Sequence, residues 1–264
     1  KIPGIAVAVI KDDKVVYQKA LGLADIEQNI PVTMDTPFNV GSISKTMLAT
    51  GIMQKVEQGT ISLDDKLTEM NLSFDVNNPI NNGDGITLRH LVTHTSGIRD
   101  SLGYNCSYYV HNSNVSLYQM FGVDYCPEQA TADPTEFYAN DYFNENGRYV
   151  MDGIYNPDEL GLPDMEHKYS NVAAGLAGYA IEKKLGIDFA QEMKQHIFAP
   201  LNLQNTAWHH QELSLHNPKA TQYMLDEEFN AVELPEYSYP TFYDGDLNIS
   251  ANDLATFLIT ITQG

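Results

Sequence analysis

The sequence predicts a mixed α/β fold of the α+β kind, rich in helix and short of strands, and three observations carry that expectation. The chain opens on an apolar run, Gly4-Ile-Ala-Val-Ala-Val-Ile10, of strand character. Apolar residues then recur at helical spacing in several separate segments. The last regular segment, begun by Ser250, is again a helix, so strands and helices do not alternate as they would around a parallel sheet.

In order along the chain, the opening run, the polar turn Lys11-Asp-Asp-Lys14 and Val15-Val16-Tyr17 read as a hairpin whose first strand is buried. After Asn39-Val40-Gly41, the residues Ile43, Met47, Ile52, Met53 and Val56 mark a helix that Gly59 stops. Thr87 caps a further helix carrying Leu88, Leu91 and Val92, closed by Ser96-Gly97. Residues 100–166 show little periodicity and hold nine of the 16 tyrosines. An irregular segment of that length is commonly functional, and its aromatic content argues against disorder. Regular structure resumes at Asn171 with a small-residue helix over 172–181 that ends at Gly186. Residues 188–198 form another amphipathic helix before Pro200, and Ser250 caps the last, with Asp253 three residues on as half of a capping box.

Composition bounds the function. A chain of 264 residues has room for one large domain, or two intimate subdomains, with ample core. With 35 acidic against 15 basic residues and a net charge of −20, it lacks the basic surface that nucleic-acid or anionic-lipid binding requires. The expected partner is a small-molecule or peptide substrate, with no nucleic acid and no membrane insertion: no stretch approaches the roughly 18–20 apolar residues of a spanning helix. No leader is visible ahead of the first strand, so the chain reads as already trimmed. Cys106 and Cys126 either close a loop, contributing about 3 kcal/mol, or stand as two buried thiols. A bridge would imply an oxidising, extracytoplasmic setting (periplasmic or secreted) rather than a cytoplasmic one. Asn71, Asn105, Asn114 and Asn248 begin glycosylation sequons, some of which chance alone supplies.

Metal and cofactor patterns are lacking. His209-His210 has no helical partner, and no nucleotide-binding glycine loop or Gly-x-Ser-x-Gly turn occurs. Nothing in the pattern supports a Ser-His-Asp triad on His94 or His167. What stands out is Ser42-Ile-Ser-Lys45 at the head of a helix. Positions i and i+3 share a face, so Lys45 can bring its amine to the Ser42 hydroxyl, a weak nucleophile that needs an adjacent base. The helix N-terminus favours a developing oxyanion. The second element is Tyr169-Ser-Asn171. A tyrosine near an ammonium group can exchange protons with the serine, and an asparagine amide can hold the lysine or a substrate amide. Tyr138-Ala-Asn140 and Tyr142-Phe-Asn144 share the pattern but lie inside the aromatic segment, where a packed tyrosine is the plainer reading.

These residues resemble a known family. Phe38-Asn-Val-Gly-Ser42-Ile-Ser-Lys45-Thr46 looks like the first active-site motif of the penicillin-recognising serine hydrolases: class C β-lactamases, DD-peptidases and β-lactamase-like esterases. Leu91-Val-Thr-His-Thr-Ser-Gly97 resembles the segment between their first two motifs, and Tyr169-Ser-Asn171 the second motif in its class C and esterase form. The resemblance implies a β-lactamase/transpeptidase-like fold, a helical subdomain beside an antiparallel sheet. On it the chain divides into first sheet strands (1–36), a mainly helical subdomain (37–186) with the insertion 100–166, and helices (187–264) leading towards further strands. It also implies Ser42 as acylated nucleophile, Lys45 and Tyr169 as general acid and base, and Asn171 as a ligand of substrate and Lys45, with no cofactor. Glu166 reads as a solvated loop carboxylate.

The departure is the third motif, Lys-Thr-Gly or His-x-Gly, which does not occur; Lys184-Leu185-Gly186 reads as a helix C-cap. The sequence therefore reads as an interior portion of the fold, truncated at both ends, with two of five expected sheet strands. The expected activity is acyl transfer from an ester, amide or β-lactam, with a β-lactamase-like esterase or peptidase ahead of a dedicated β-lactamase. A penicillin sensor or inactive relative is the non-catalytic alternative.

Overall fold

The structure, a computed structural model, describes residues 2–76, 85–155, 167–214 and 217–263. In chain order its elements are β1 (Gly4–Lys11), β2 (Lys14–Asp25), β3 (Ile30–Pro31), β4 (Pro37–Asn39), α1 (Ser44–Glu57), α2 (Leu88–Val92), β5 (Tyr109–Val110), α3 (Leu117–Met120), α4 (Pro134–Glu136), α5 (Asn171–Leu185), α6 (Phe189–Met193), β6 (Thr206–Ala207), β7 (Tyr223–Leu225), β8 (Ala231–Glu233), β9 (Tyr237–Ser238), β10 (Asn248–Ser250) and α7 (Ala251–Gln263). They fall into two compact units. One comprises Lys1–Gly41, Ala190–Glu236 and Asp246–Gly264, the other Ser42–Phe189 and Tyr237–Gly245.

In the first unit β1 and β2 form the expected antiparallel hairpin, with Gly4 opposite Gly22. Asp12 and Asp13 both take positive φ, the conformation of a two-residue turn whose twist matches that of the strands. β3 adds a third strand to this sheet, one more than expected, because two residues are too short to read from periodicity. The first strand is not buried, contrary to the sequence reading. Ala6, Ala8 and Ile10 face a cleft lined also by Leu254 and Leu258 of α7, while Ile5, Val7 and Val9 are 43%, 37% and 45% exposed. An unbroken apolar run reads the same whether one face of the strand is covered or both. β10 lies between β4 and β6 in a second small sheet. Ser250 caps α7 as expected, accepting the Asp253 N–H at 3.1 Å. The Asp253 carboxylate instead accepts from Asn205 N–H (2.7 Å) and Thr206 Oγ1 (2.8 Å).

The second unit is helical and carries the chemistry. α1 follows a tight turn, Gly41–Ile43, that holds Ser42, and α1 ends at Glu57 with Gly59 left-handed beyond it. Its buried residues are Ser44, Met47, Leu48, Gly51, Ile52 and Lys55; Ile43 and Met53, which share the apolar spacing, are about half exposed. Thr87 caps α2 by accepting the His90 N–H, and the helix ends at Val92, short of Ser96-Gly97. α5 is buried along most of its length and packs against α1 and α2. Its glycines admit close neighbours. A Cβ at Gly175 would lie 2.7 Å from the Thr241 carbonyl oxygen, and one at Gly178 2.5 Å from the Tyr243 ring. The segment 241–244 therefore lies directly on α5. Gly186, left-handed, ends α5 as the predicted C-cap, and Lys184 is paired with Asp65 at 2.6 Å.

The described part of the aromatic segment, 100–155, is a core in its own right. Phe137, Tyr138, Tyr142 and Tyr149 are fully buried and pack ring against ring, and Arg148 ties buried Asp141 to the same loop. Cys106 and Cys126 are joined by a disulfide across 20 positions. Closing a loop of that length restricts the unfolded chain and contributes about 3 kcal/mol. Reduction is therefore expected to lower the melting temperature by about 5–10 °C, read by calorimetry with and without reductant. An unchanged transition would show the loop to be held by its aromatic packing alone.

Candidate active site

The site is assembled within the helical unit from four segments: the turn before α1, α1 itself, the head of α5 and the stretch ending at Asp244. Ser42 Oγ accepts a hydrogen bond from Tyr169 Oη at 2.7 Å and a longer one from Lys45 Nζ at 3.3 Å. Lys45 Nζ also donates to Asn171 Oδ1 at 2.7 Å and to the Asp244 carbonyl at 2.6 Å, and lies 5.0 Å from the centre of the Tyr169 ring. An ammonium group has three hydrogens, and these three acceptors use all of them. The four residues singled out in the sequence thus meet, although Ser42 and Tyr169 are 127 positions apart. Ser42 and Tyr169 are exposed, as an attacking hydroxyl must be, and Lys45 and Asn171 half-buried.

Two of the Lys45 acceptors are carbonyl oxygens, which can only accept. In the neutral amine they retain the two remaining hydrogens, and the lone pair is left towards Ser42 Oγ. The geometry therefore suits transfer of the serine proton to Lys45. Tyr138 and Tyr142, the other candidates for the Tyr-x-Asn role, lie in the aromatic core.

Sequence reasoning missed the supports of this cluster. Asp100 accepts hydrogen bonds from the hydroxyl of Ser170 and the backbone N–H groups of Asn171 and Val172 at the head of α5, and from the Asn171 amide. His94, weighed in the sequence only as a triad base, instead accepts the Ser170 N–H on Nδ1 at 3.2 Å, with its ring centre 4.5 Å from that of Tyr169. Its left-handed backbone (φ 57°) turns it to this task. Burial, and then the Lys45 charge, hold its pKa below the usual histidine range, which keeps Nδ1 available as an acceptor. Glu166 lies outside the described residues.

Asp244 is the third support. Its carbonyl holds Lys45, while its side chain is 2% exposed and accepts from Tyr104 Oη at 3.0 Å. Burial pushes its pKa up to about 7, with Lys45, Thr241 and Tyr104 pulling the other way. A carboxyl whose pKa is higher folded than unfolded loses stability as pH rises from the ordinary carboxylate range towards 7 and is fully penalised above it. Over the span from 3.8 to about 7 the penalty amounts to about 4 kcal/mol. Asp244→Asn keeps an acceptor for Tyr104 and removes the penalty. Its melting temperature relative to the parent is expected to rise by about 10 °C between pH 4 and pH 8. A difference that does not change with pH would mean that the carboxyl does not titrate in this range.

The family model described as Beta-lactamase matches residues 1–264. Among curated relatives, a Beta-lactamase from Escherichia coli (strain K12) is 31% identical over 208 residues, 78% of this chain and 44% of its own length. Esterase EstB from Burkholderia gladioli is 28% identical over 128 residues, 47% of this chain and 29% of its own. Among solved structures, an octameric penicillin-binding protein homologue from Pyrococcus abyssi superposes with a TM-score of 0.77 at 30% identity, over 99% of this chain and 52% of that one. The chain spans about half the length of the curated relatives it matches. Helices and antiparallel strands are thus arranged as in a β-lactamase/transpeptidase fold, and no helix among the described residues is long and apolar enough to cross a membrane. With the family match extending over all of residues 1–264, the chain belongs to the beta-lactamase family of serine hydrolases.

Proposed function

We propose that the protein is an acyl-transfer hydrolase that forms an acyl-enzyme on Ser42 with an ester, amide or β-lactam, an ester or peptide-like substrate being favoured. The observation that carries this reading is the convergence of Tyr169 Oη and Lys45 Nζ on Ser42 Oγ. In the acylation step Ser42 Oγ bonds to the carbonyl carbon as its proton passes to the Lys45 amine. The carbonyl π electrons move to oxygen, where the Ser42 backbone N–H is one donor. As the intermediate collapses, the bond to the leaving group breaks and the proton taken up by Lys45 is passed on to that group by way of Tyr169. Water then attacks the acyl carbon and gives a proton to the same groups; as this second intermediate collapses, the bond between the acyl carbon and Ser42 Oγ breaks, that proton passes to Ser42 Oγ, and the acid is released.

The match to an esterase supports the ester reading, and the match to a β-lactamase supports the β-lactam one. The Cys106–Cys126 bridge supports an oxidising, extracytoplasmic setting. Intact-mass spectrometry with peptide mapping after exposure to a fluorophosphonate tests the nucleophile: one adduct on Ser42 is expected. Turnover of a nitrophenyl ester, with nitrocefin in parallel, then tests the substrate class. Acylation by nitrocefin without release would identify a sensor, and absence of any adduct would overturn the hydrolase reading.

A further inference from the structure

Asp100 lies outside every motif quoted from the sequence, yet its carboxylate meets four donors. Oδ1 accepts from Ser170 Oγ and Val172 N, both at 3.0 Å; Oδ2 accepts from Asn171 N at 3.1 Å and Asn171 Nδ2 at 2.8 Å. Three of these bonds anchor the head of α5. The fourth does something different, because it fixes which end of the Asn171 amide faces which neighbour. With Nδ2 held by a carboxylate, Oδ1 stands at the opposite end, 2.7 Å from Lys45 Nζ. Turning the amide over would set oxygen against carboxylate and NH2 against ammonium, two repulsive contacts for two attractive ones.

We propose that Asp100 is a positioning residue for the acylation step, acting through the Asn171 amide to hold an oxygen acceptor against Lys45. It rests on the acyl-transfer reading above and adds a residue to it. Lys45 has two acceptors besides Ser42: the Asp244 carbonyl, fixed by the backbone, and the Asn171 amide oxygen, the one whose direction a side-chain rotation can reverse. Without Asp100 that oxygen is no longer held, and Lys45 is free to leave the hydroxyl it must deprotonate.

The test is a double-substitution cycle on the rate of fluorophosphonate labelling of Ser42, with melting temperatures measured on the same samples. Asp100→Ala, which leaves no acceptor for the Asn171 amide, is expected to slow labelling by about 10²-fold. In an Asn171→Ala background the same change is expected to slow it by less than about threefold, since its route of action is gone. A merely structural anchor would lower the melting temperature alike in both backgrounds and leave the labelling rate of folded protein unchanged in both. Asn171→Asp supplies a second reading that leaves Asp100 in place. It keeps an acceptor for Lys45 but loses the donor to Asp100, and it too is expected to label about 10²-fold more slowly. Equal slowing by Asp100→Ala in both backgrounds, or labelling of Asn171→Asp at the parental rate, would overturn the proposal while leaving the nucleophile assignment intact. Failure of the parent protein to label would overturn both.

Discussion

Alanine at position 42 is expected to abolish covalent labelling and to cut ester turnover by about 10⁴-fold or more, the scale seen when an enzyme loses its nucleophile. The expectation rests on one atom. Ser42 Oγ is where the tyrosine hydroxyl and the lysine amine meet, and its removal leaves both without an object. Neighbouring serines cannot take over. Ser44 is fully buried in α1, and Ser170 is buried and occupied, accepting the Ala173 N–H and donating to Asp100. Because Ser42 is exposed, the change should move stability by no more than about 0.5 kcal/mol. Loss of labelling at an unchanged melting temperature is therefore the expected pair of results. An adduct mapped to another serine in Ser42→Ala would show that the nucleophile lies elsewhere.

What the sequence made legible was local. Gly59, Thr87, Gly186 and Ser250 each end or begin a helix through bonds or dihedrals within a few residues, so each could be read without the rest of the fold. The same holds for the site: Ser42 with Lys45, and Tyr169 with Asn171, are pairs one helical turn or less apart. Asp100 was not legible because its partners are 70–72 positions away and an aspartate beside a loop has many bland uses. Asp244 serves chiefly through its carbonyl, which every residue possesses, so no side-chain pattern could announce it. The burial errors have the same origin. Met53 fits a helical stripe, but the face that α1 buries includes Gly51 and Lys55 instead. Asp253 sits at a capping position, yet finds better donors 47 and 48 residues upstream. Periodicity reports that a face exists, and only the tertiary fold decides what lies against it.

Phenylalanine at position 169 removes a single oxygen and tests the proton route without disturbing its frame. The ring that packs on His94, and that lies 5.0 Å from the Lys45 amine, stays in place, while the hydroxyl 2.7 Å from Ser42 Oγ is lost. Turnover is expected to fall by about 10²–10⁴-fold, the range that a positioned acid or base contributes. Because Tyr169 is 49% exposed, the melting temperature should scarcely change. The other two tyrosines of the same sequence pattern should behave in the opposite sense. Tyr142 Oη donates to the Arg99 carbonyl and accepts the Ser101 N–H, so Tyr142→Phe leaves buried groups unpaired and should cost about 1–3 kcal/mol of stability with turnover little changed. The hydroxyl of Tyr138 is buried with no hydrogen-bond partner among the described residues, so Tyr138→Phe relieves a desolvated oxygen and should be neutral or stabilising. Activity and stability are thus predicted to separate cleanly across three chemically identical substitutions. Should Tyr138→Phe or Tyr142→Phe abolish turnover at an unchanged melting temperature while Tyr169→Phe stays active, the proton route would have to be redrawn through the aromatic core.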